Sequence, residues 1–153
     1  MLYLASDHAG LELKQDIAAF LKQANIEFID IGPFTYDALD DYPDFIIPAA
    51  EKVAAKPNIN RAIILGASGQ GEAMTANKVS GVRAAVYYGG PEEIITLSKI
   101  HNNANILSLG AKFLSRDEAR EIVKIWLNTD FANEARHVRR LSKISKYENS
   151  KNN

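Results

Sequence analysis

Short runs of β-type apolar residues alternate with segments of helical period from one end of this chain to the other, and that alternation constrains the fold most. Leu2–Ser6 reads as a buried strand, and Leu13, Ile17, Leu21 and Ala24 then recur on one helical face. Residues 26–31 read as a second strand, closed by Gly32-Pro33, and residues 33–43 as a loop rich in turn formers that ends at Asp41-Tyr42-Pro43. Ile46, Ile47, Ala50, Val53 and Ala54 mark a helix stopped near Pro57. Residues 61–65, 83–88 and 106–109 supply three more strands, the first followed by a glycine-rich turn. Gly90-Pro91-Glu92-Glu93 looks like a helix start, with proline in the first turn and acids at the positive end of the dipole. Ser115-Arg116-Asp117-Glu118 has capping-box spacing for a helix through Trp126. A last helix is expected from about 133 to 147, leaving 148–153 as a frayed polar tail. Strands separated by helices predict a parallel sheet covered on both faces, in a single α/β domain over residues 1–147.

Composition narrows the partners. A net charge of -1 gives no general reason to expect nucleic acid or an anionic membrane. No apolar run approaches the ~20 residues that span a bilayer, and the N-terminus lacks a signal-peptide pattern, so a cytoplasmic location is expected. The chain contains no cysteine, which excludes disulfides, thiolate metal sites and a thiol nucleophile.

In parallel α/β sheets, ligands sit beyond the carboxyl ends of the strands. After the first strand comes Ser6-Asp7-His8-Ala9-Gly10, and after the third comes Gly66-Ala67-Ser68-Gly69-Gln70-Gly71-Glu72. Glycines at 66, 69 and 71 allow a tight turn with successive exposed N–H groups, suited to an anion or oxyanion. Gly66 and Gly71 have the separation of a P-loop, but Glu72 and Ala73 replace its lysine and hydroxyl residue, so a nucleotide triphosphate fits poorly. A tight turn without ligand is the plain alternative. A carboxylate beside an N–H cluster suits a different chemistry, the abstraction of a proton α to a carbonyl with stabilisation of the enediolate. Asp7 at the first strand tip reads equally as a helix cap and as a ligand-binding group. His101 precedes the fifth strand in His101-Asn102-Asn103-Ala104-Asn105, where a histidine can also close a helix. Arg136, Arg140 and Lys143 share one face of the last helix, either as a solvated stripe or, through the two arginines, as a forked phosphate clamp. The three histidines lack a close spacing such as His-x3-His, and no metal site is expected.

Taken in order, Ser6-Asp7-His8-Ala9-Gly10, Asp41-Tyr42-Pro43, Gly69-x-Gly71, Ala76-Asn77-Lys78, Gly81-x-Arg83-Ala84, His101-Asn102-x-Ala104-Asn105, Leu109-Gly110-Ala111 and Arg136-His137-x-x-Arg140 resemble the ribose-5-phosphate isomerase B family, which also includes galactose- and allose-6-phosphate isomerases. The resemblance covers residues 1 to about 145. It implies a Rossmann-like three-layer α/β/α sandwich with a five-stranded parallel sheet. It also implies a homodimer, with a dimer of dimers as a further possibility, and an active site shared between subunits, without metal or other cofactor. By resemblance His101 assists ring opening, while Asp7, His8 and Asn102 contact the sugar or assist proton movement. The backbone of Ala67, Ser68, Gly69, Gln70 and Gly71 stabilises the enediolate, and Arg136 and Arg140 hold the phosphate. Many members carry a cysteine base where this chain has Gly66. The chain matches the subgroup with Gly-x-Ser-Gly-x-Gly-Glu, which places the base on Glu72 and lets Ser68 steady the base or the oxyanion. Lys112 replaces a phosphate-contacting arginine, keeping the charge and losing the fork.

The resulting expectation is an aldose–ketose isomerase interconverting ribose 5-phosphate and ribulose 5-phosphate through a cis-enediolate. A six-carbon sugar phosphate is the near alternative, and a non-catalytic phosphate- or nucleotide-binding module the alternative from another class.

Overall fold

The computed structural model describes residues 1–151. Its strands are β1 (Leu2–Ser6), β2 (Phe28–Gly32), β3 (Arg61–Gly66), β4 (Ala84–Tyr87) and β5 (Ile106–Gly110). The helices are α1 (Leu11–Gln23), α2 (Pro43–Ala54), α3 (Gln70–Ala76), α4 (Glu93–Ile100), α5 (Arg116–Asn128) and α6 (Ala135–Lys151). All pairings are parallel, in the order β2-β1-β3-β5-β4. The expected α/β sandwich with a five-stranded parallel sheet is the fold observed.

The layers follow from handedness. A parallel crossover is right-handed almost without exception, so chains stepping in opposite directions along the sheet put their helices on opposite faces. The steps β1 to β2 and β4 to β5 run one way, and their helices α1 and α4 pack with α5 over Leu2, Leu4, Ile63, Leu65, Leu107 and Leu109. The steps β2 to β3 and β3 to β4 run the other way, and α2 and α3 cover Tyr3, Ala5, Ala62, Ile64 and Ile106. Alternate residues of β1, β3 and β5 feed the two cores, which is why these strands read as continuous apolar runs. The edge strands β2 and β4 stay half-exposed. Among the described residues, no helix is long and apolar enough to cross a membrane.

Several boundaries differ from the sequence reading. β2 starts at Phe28 rather than at 26, because Asn25 takes a positive φ of 56° and Ile26 packs on the core ahead of the strand. Pro91 stays outside α4, whose N-cap is Glu92. Ser115 caps α5 by accepting from the Glu118 N–H, as the capping-box spacing predicts. The expectation of a frayed tail from 148 needs correction, since α6 runs to Lys151 and the Glu148 carboxylate accepts from the Gly81 N–H at 3.2 Å. Asn152 and Asn153 lie outside the described residues.

One buried cation fixes the loop that follows β2. Lys14 on α1 is 1% exposed, and its Nζ donates to Asp30 Oδ1 at 2.6 Å and to the Pro33 carbonyl at 2.7 Å. The ammonium also lies 5.5 Å from the centre of the Phe34 ring. Its charge is thereby matched by an anion, a carbonyl dipole and a π face. Lys14→Met removes the charge, leaves the Pro33 carbonyl without its side-chain donor and leaves Asp30 with the Gly32 N–H and no cation. We expect a loss of about 3 kcal/mol in stability by urea unfolding, the low end for a broken buried pair because Asp30 is partly exposed, with residues 33–42 losing amide-exchange protection first.

Candidate active site

The strand order reverses between β1 and β3: from β1 the chain steps to β2, then returns to β1's other side as β3. Helices leave to opposite faces there, opening a crevice at the carboxyl ends. Asp7 and His8 stand on one wall, after β1, and residues 67–72 on the other, after β3.

Asp7 is 7% exposed, and its Oδ1 accepts from the Gly10 N–H at 2.9 Å, which closes the turn ahead of α1; Gly10 is the N-cap of that helix, and no side chain caps it. The His8 imidazole is bound through Nδ1 to Asp40 Oδ1 at 2.6 Å and meets the Tyr36 ring edge-on at 5.9 Å. Gly69 turns the opposite wall with a φ of 75°, a left-handed conformation that β-carbons disfavour. The loop's carbonyls are taken up on the β5 side: Gly66 O by the Ala111 N–H at 2.8 Å, Ala67 O by the Lys112 N–H at 3.0 Å, and Gly69 O by the Ser108 hydroxyl at 2.6 Å. First-turn N–H groups of α3 have no intrahelical acceptor by construction. That of Gln70 reaches Ser68 Oγ at 3.3 Å. The Tyr42 ring lies over Gly71, whose added Cβ would stand 3.0 Å from Tyr42 Cζ.

Glu72 is 4% exposed in the first turn of α3. Its carboxylate folds back against Gly66, so that a Cβ on Gly66 would overlap Oε1 and Cδ. The glycine is therefore required by the acid. Burial raises the Glu72 pKa above the ordinary value of 4.5, the Asp7 charge adds to the rise, and the residue's own backbone N–H opposes it. Desolvation wins over the N–H field, a balance the sequence left open.

Lys112 follows β5 and lines, with His8, Tyr36 and Gln15, a pocket of about 410 Å³ at the start of α1. Asp7, His8 and Asp40 form one cluster of possible metal ligands among the described residues, with donor atoms within 4.8 Å of one another. His8 Nδ1 is already committed to Asp40 there, which makes those two an ion pair with Asp7 beside it.

His101, Asn102, Arg136 and Arg140 are not brought to this crevice. α4 ends at Ile100, and residues 101–105 lead into the amino end of β5, at the opposite edge of a parallel sheet. At a rise of about 3.3 Å per residue, that places them roughly 15 Å or more from Glu72. There they form a second cluster. His101 stacks on His137 with ring centres 4.3 Å apart and planes 16° from parallel. Ala132 N–H donates to Ile100 O at 3.2 Å, tying the start of α6 to the end of α4. His137 is 3% exposed, its Nε2 makes no hydrogen bond and stands 3.8 Å from Glu134 Oε2, and burial, then His101, lowers its pKa. Asn102 opens onto a groove of about 420 Å³ between β4 and α6. Sequence reasoning assigned no role to Asp40, Tyr42 or His137. The motifs Asp41-Tyr42-Pro43 and Arg136-His137 flagged the neighbourhood of all three.

A buried acid beside a glycine loop at the switch point of a parallel sheet defines an α/β protein whose candidate site lies at the carboxyl ends of its strands. The family model described as Ribose/Galactose Isomerase matches residues 2–144, and the chain belongs to that family. It is 44% identical over 147 residues, 96% of this chain and 91% of the relative, to ribose-5-phosphate isomerase B of Mycolicibacterium paratuberculosis. The crystal structure of ribose-5-phosphate isomerase B from Mycoplasma genitalium with bound ribulose-5-phosphate matches with a TM-score of 0.91 at 40% identity, covering 97% of this chain and 95% of that one. The Clostridium thermocellum ribose-5-phosphate isomerase B structure matches with a TM-score of 0.89 at 39% identity, over 97% of each chain.

Gly66→Ala tests the packing of the acid. The obstruction is the far end of a flexible side chain, so the fold should survive while the carboxylate is driven out of place. We expect an unchanged far-UV spectrum and a fall in kcat of about 10²-fold or more, measured by isomerisation of pentose phosphate.

Proposed function

We propose that the protein interconverts ribose 5-phosphate and ribulose 5-phosphate through a cis-enediolate, with Glu72 as the base. The observation that carries the reading is the buried Glu72 carboxylate, held against Gly66 beside the backbone of residues 67–71. Glu72 takes the proton from C2 and returns it to C1, and the hydroxyl proton passes from O2 to O1 within the enediolate, while charge develops on the oxygen that the loop N–H groups and Ser68 face. Those donors carry the larger share of the barrier lowering, because even a raised carboxylate pKa lies far below that of a sugar C–H. Raising that pKa also makes Glu72 a stronger base when ionised. In this reading no metal is required, since N–H groups meet the oxyanion, and the enzyme works in the cytoplasm.

The remaining residues support a shared site. His101, for ring opening, and Asn102, Arg136 and Arg140, for sugar and phosphate, lie at the far end of the sheet from their own Glu72. A two-fold dimer supplies each crevice with that cluster from the partner subunit. Lys112 and His8 then bring positive charge from the crevice's own chain. The relatives' common name favours five carbons over six.

Glu72→Gln keeps shape and removes the base, so kcat should fall about 10²–10⁴-fold. The acid limb of kcat/KM should lie above the ordinary carboxylate range in the wild type, with activity lost as pH falls through the raised Glu72 pKa, and should vanish in the variant. The stability effect has the opposite sense. Between the unfolded and folded pKa values of Glu72, the native state binds more protons, so its stability declines as pH rises. Glu72→Gln should therefore melt higher than wild type at neutral pH and lose that advantage in acid. Retained turnover would remove Glu72 from the mechanism.

Subunit sharing has its own test. Glu72→Gln and His101→Asn chains, each nearly inactive, are mixed, denatured and refolded together. Half of the dimers are then mixed, each with one intact site, giving about a quarter of wild-type activity. A mixture no more active than its parents would place each site within one chain.

A further inference from the structure

Residues 33–42 deliver Asp40 to the tip of β1. Its Oδ1 accepts twice from one residue, from His8 Nδ1 at 2.6 Å and from the His8 backbone N–H at 3.1 Å. Oδ2 is sealed from solvent and has no hydrogen-bond partner. The Asp40 side chain is 8% exposed against 30% for His8, so the carboxylate sits behind the ring. A buried carboxylate with one bare oxygen is strongly disfavoured unless a cation faces the other. His8 is the group that faces it. With Nδ1 committed, the free edge of the imidazole is Nε2, and the ring lines the pocket that also holds Tyr36 and Lys112. Tyr36 closes on the ring edge-on and limits its rotation.

We propose that Asp40 is a positioning residue of the isomerase: it fixes the His8 ring so that Nε2–H is the donor to an oxygen of the bound sugar phosphate, without itself reaching the ligand. The ligand's identity rests on the isomerase reading; the coupling of Asp40 to His8 does not. Among the groups around His8, Asp40 comes from the loop, Asp7 from the tip of β1 and Lys112 from the turn after β5, while Glu12 of α1 and Tyr36 line the same pocket. The hydrogen bond to Asp40 raises the His8 pKa most, Asp7 and the Asp40 charge add to the rise, and desolvation and Lys112 oppose it. A raised pKa keeps the imidazolium present at lower pH and loses it as pH rises through that value. Asp40→Asn keeps an oxygen for the two donors and removes the charge, so the same loss should begin at lower pH.

The experiment follows KM and kcat for ribose 5-phosphate from about pH 6 to 9 in wild type, Asp40→Asn, His8→Gln and the double variant. Between the His8 pKa values that NMR gives for the variant and the wild type, Asp40→Asn should raise KM by up to about ten-fold and change kcat about two-fold at most. In the His8→Gln background it should add nothing further, because Asp40 acts through the ring. Ratios to wild type at each pH cancel the ionisation of the substrate phosphate. The imidazole signals of a chain with three histidines are titrated by NMR in parallel, with and without ribose 5-phosphate. His8 should titrate above 6.5 in the wild type and lower in Asp40→Asn, and its signal should move on adding the sugar phosphate. A wild-type His8 that titrates at or below 6.5, or Asp40→Asn and His8→Gln effects that multiply, overturns the proposal. A wild type that turns over no sugar phosphate sinks the isomerase reading instead, and the His8 titration still decides whether Asp40 governs the ring.

Discussion

A parallel sheet imposes one rule on everything this chain does: after each strand the chain must travel back the length of the sheet before the next begins. Connections therefore divide into those that leave carboxyl ends and those that arrive at amino ends. Asp7, His8, residues 67–72 and Lys112 belong to the first kind. Residues 101–105 belong to the second, and the start of α6 is held beside them by the Ala132–Ile100 bond and the His101–His137 stack. No side chain is long enough to cancel that separation. A reaction that needs Glu72 and His101 together must borrow one of them from a second copy, and the sheet's polarity is the physical reason. The half-exposed edge strand β4 and the groove between it and α6 leave surface for such a copy beside the His101 cluster.

At the crevice itself, one volume is contested. The space in front of residue 66 holds either a side chain on that residue or the carboxylate of Glu72, never both. Gly66 and Glu72 are thus one device written at two positions. Burial in that space has two consequences with one cause. Desolvation raises the pKa of the carboxylate, and the same desolvation makes the ionised acid costly to the fold at neutral pH.

Much of this was legible in the sequence because it is periodic or local. The alternation of Leu2, Leu4 with Tyr3, Ala5 and the spacing of Leu13, Ile17 and Leu21 state which faces are buried, and Ser115 to Glu118 states where α5 begins. The glycine pattern of residues 66–71 marks a loop of exposed N–H groups, and Glu72 follows it directly. What stayed hidden is non-local. Strand order depends on β5 inserting between β3 and β4, which no local pattern encodes. Asp40 sits in a run of turn formers, and its meeting with His8 across 32 positions follows from the path of the loop. The sign of the Glu72 pKa shift is a contest between burial and N–H donors, and only packing supplies the burial.

The path of that loop begins far from the chemistry. Lys14 is buried on α1 among groups that offer it an anion, a carbonyl and a ring, and two of these belong to residues 33 and 34. A buried ammonium without such partners would be strongly disfavoured, so the loop cannot leave without exposing or neutralising it. The same segment carries Tyr36 against His8, Asp40 behind His8 and Tyr42 over Gly71 before entering α2 at Pro43. Both walls of the crevice, the His8 side and the Gly71 side, are thereby braced by one connection whose root is a single α1 lysine. Rigidity at the site is then a property of the α1–β2 packing as much as of the catalytic loops. A loop of turn-forming residues, mobile by composition, is held still by the requirement that a charge in the core be answered.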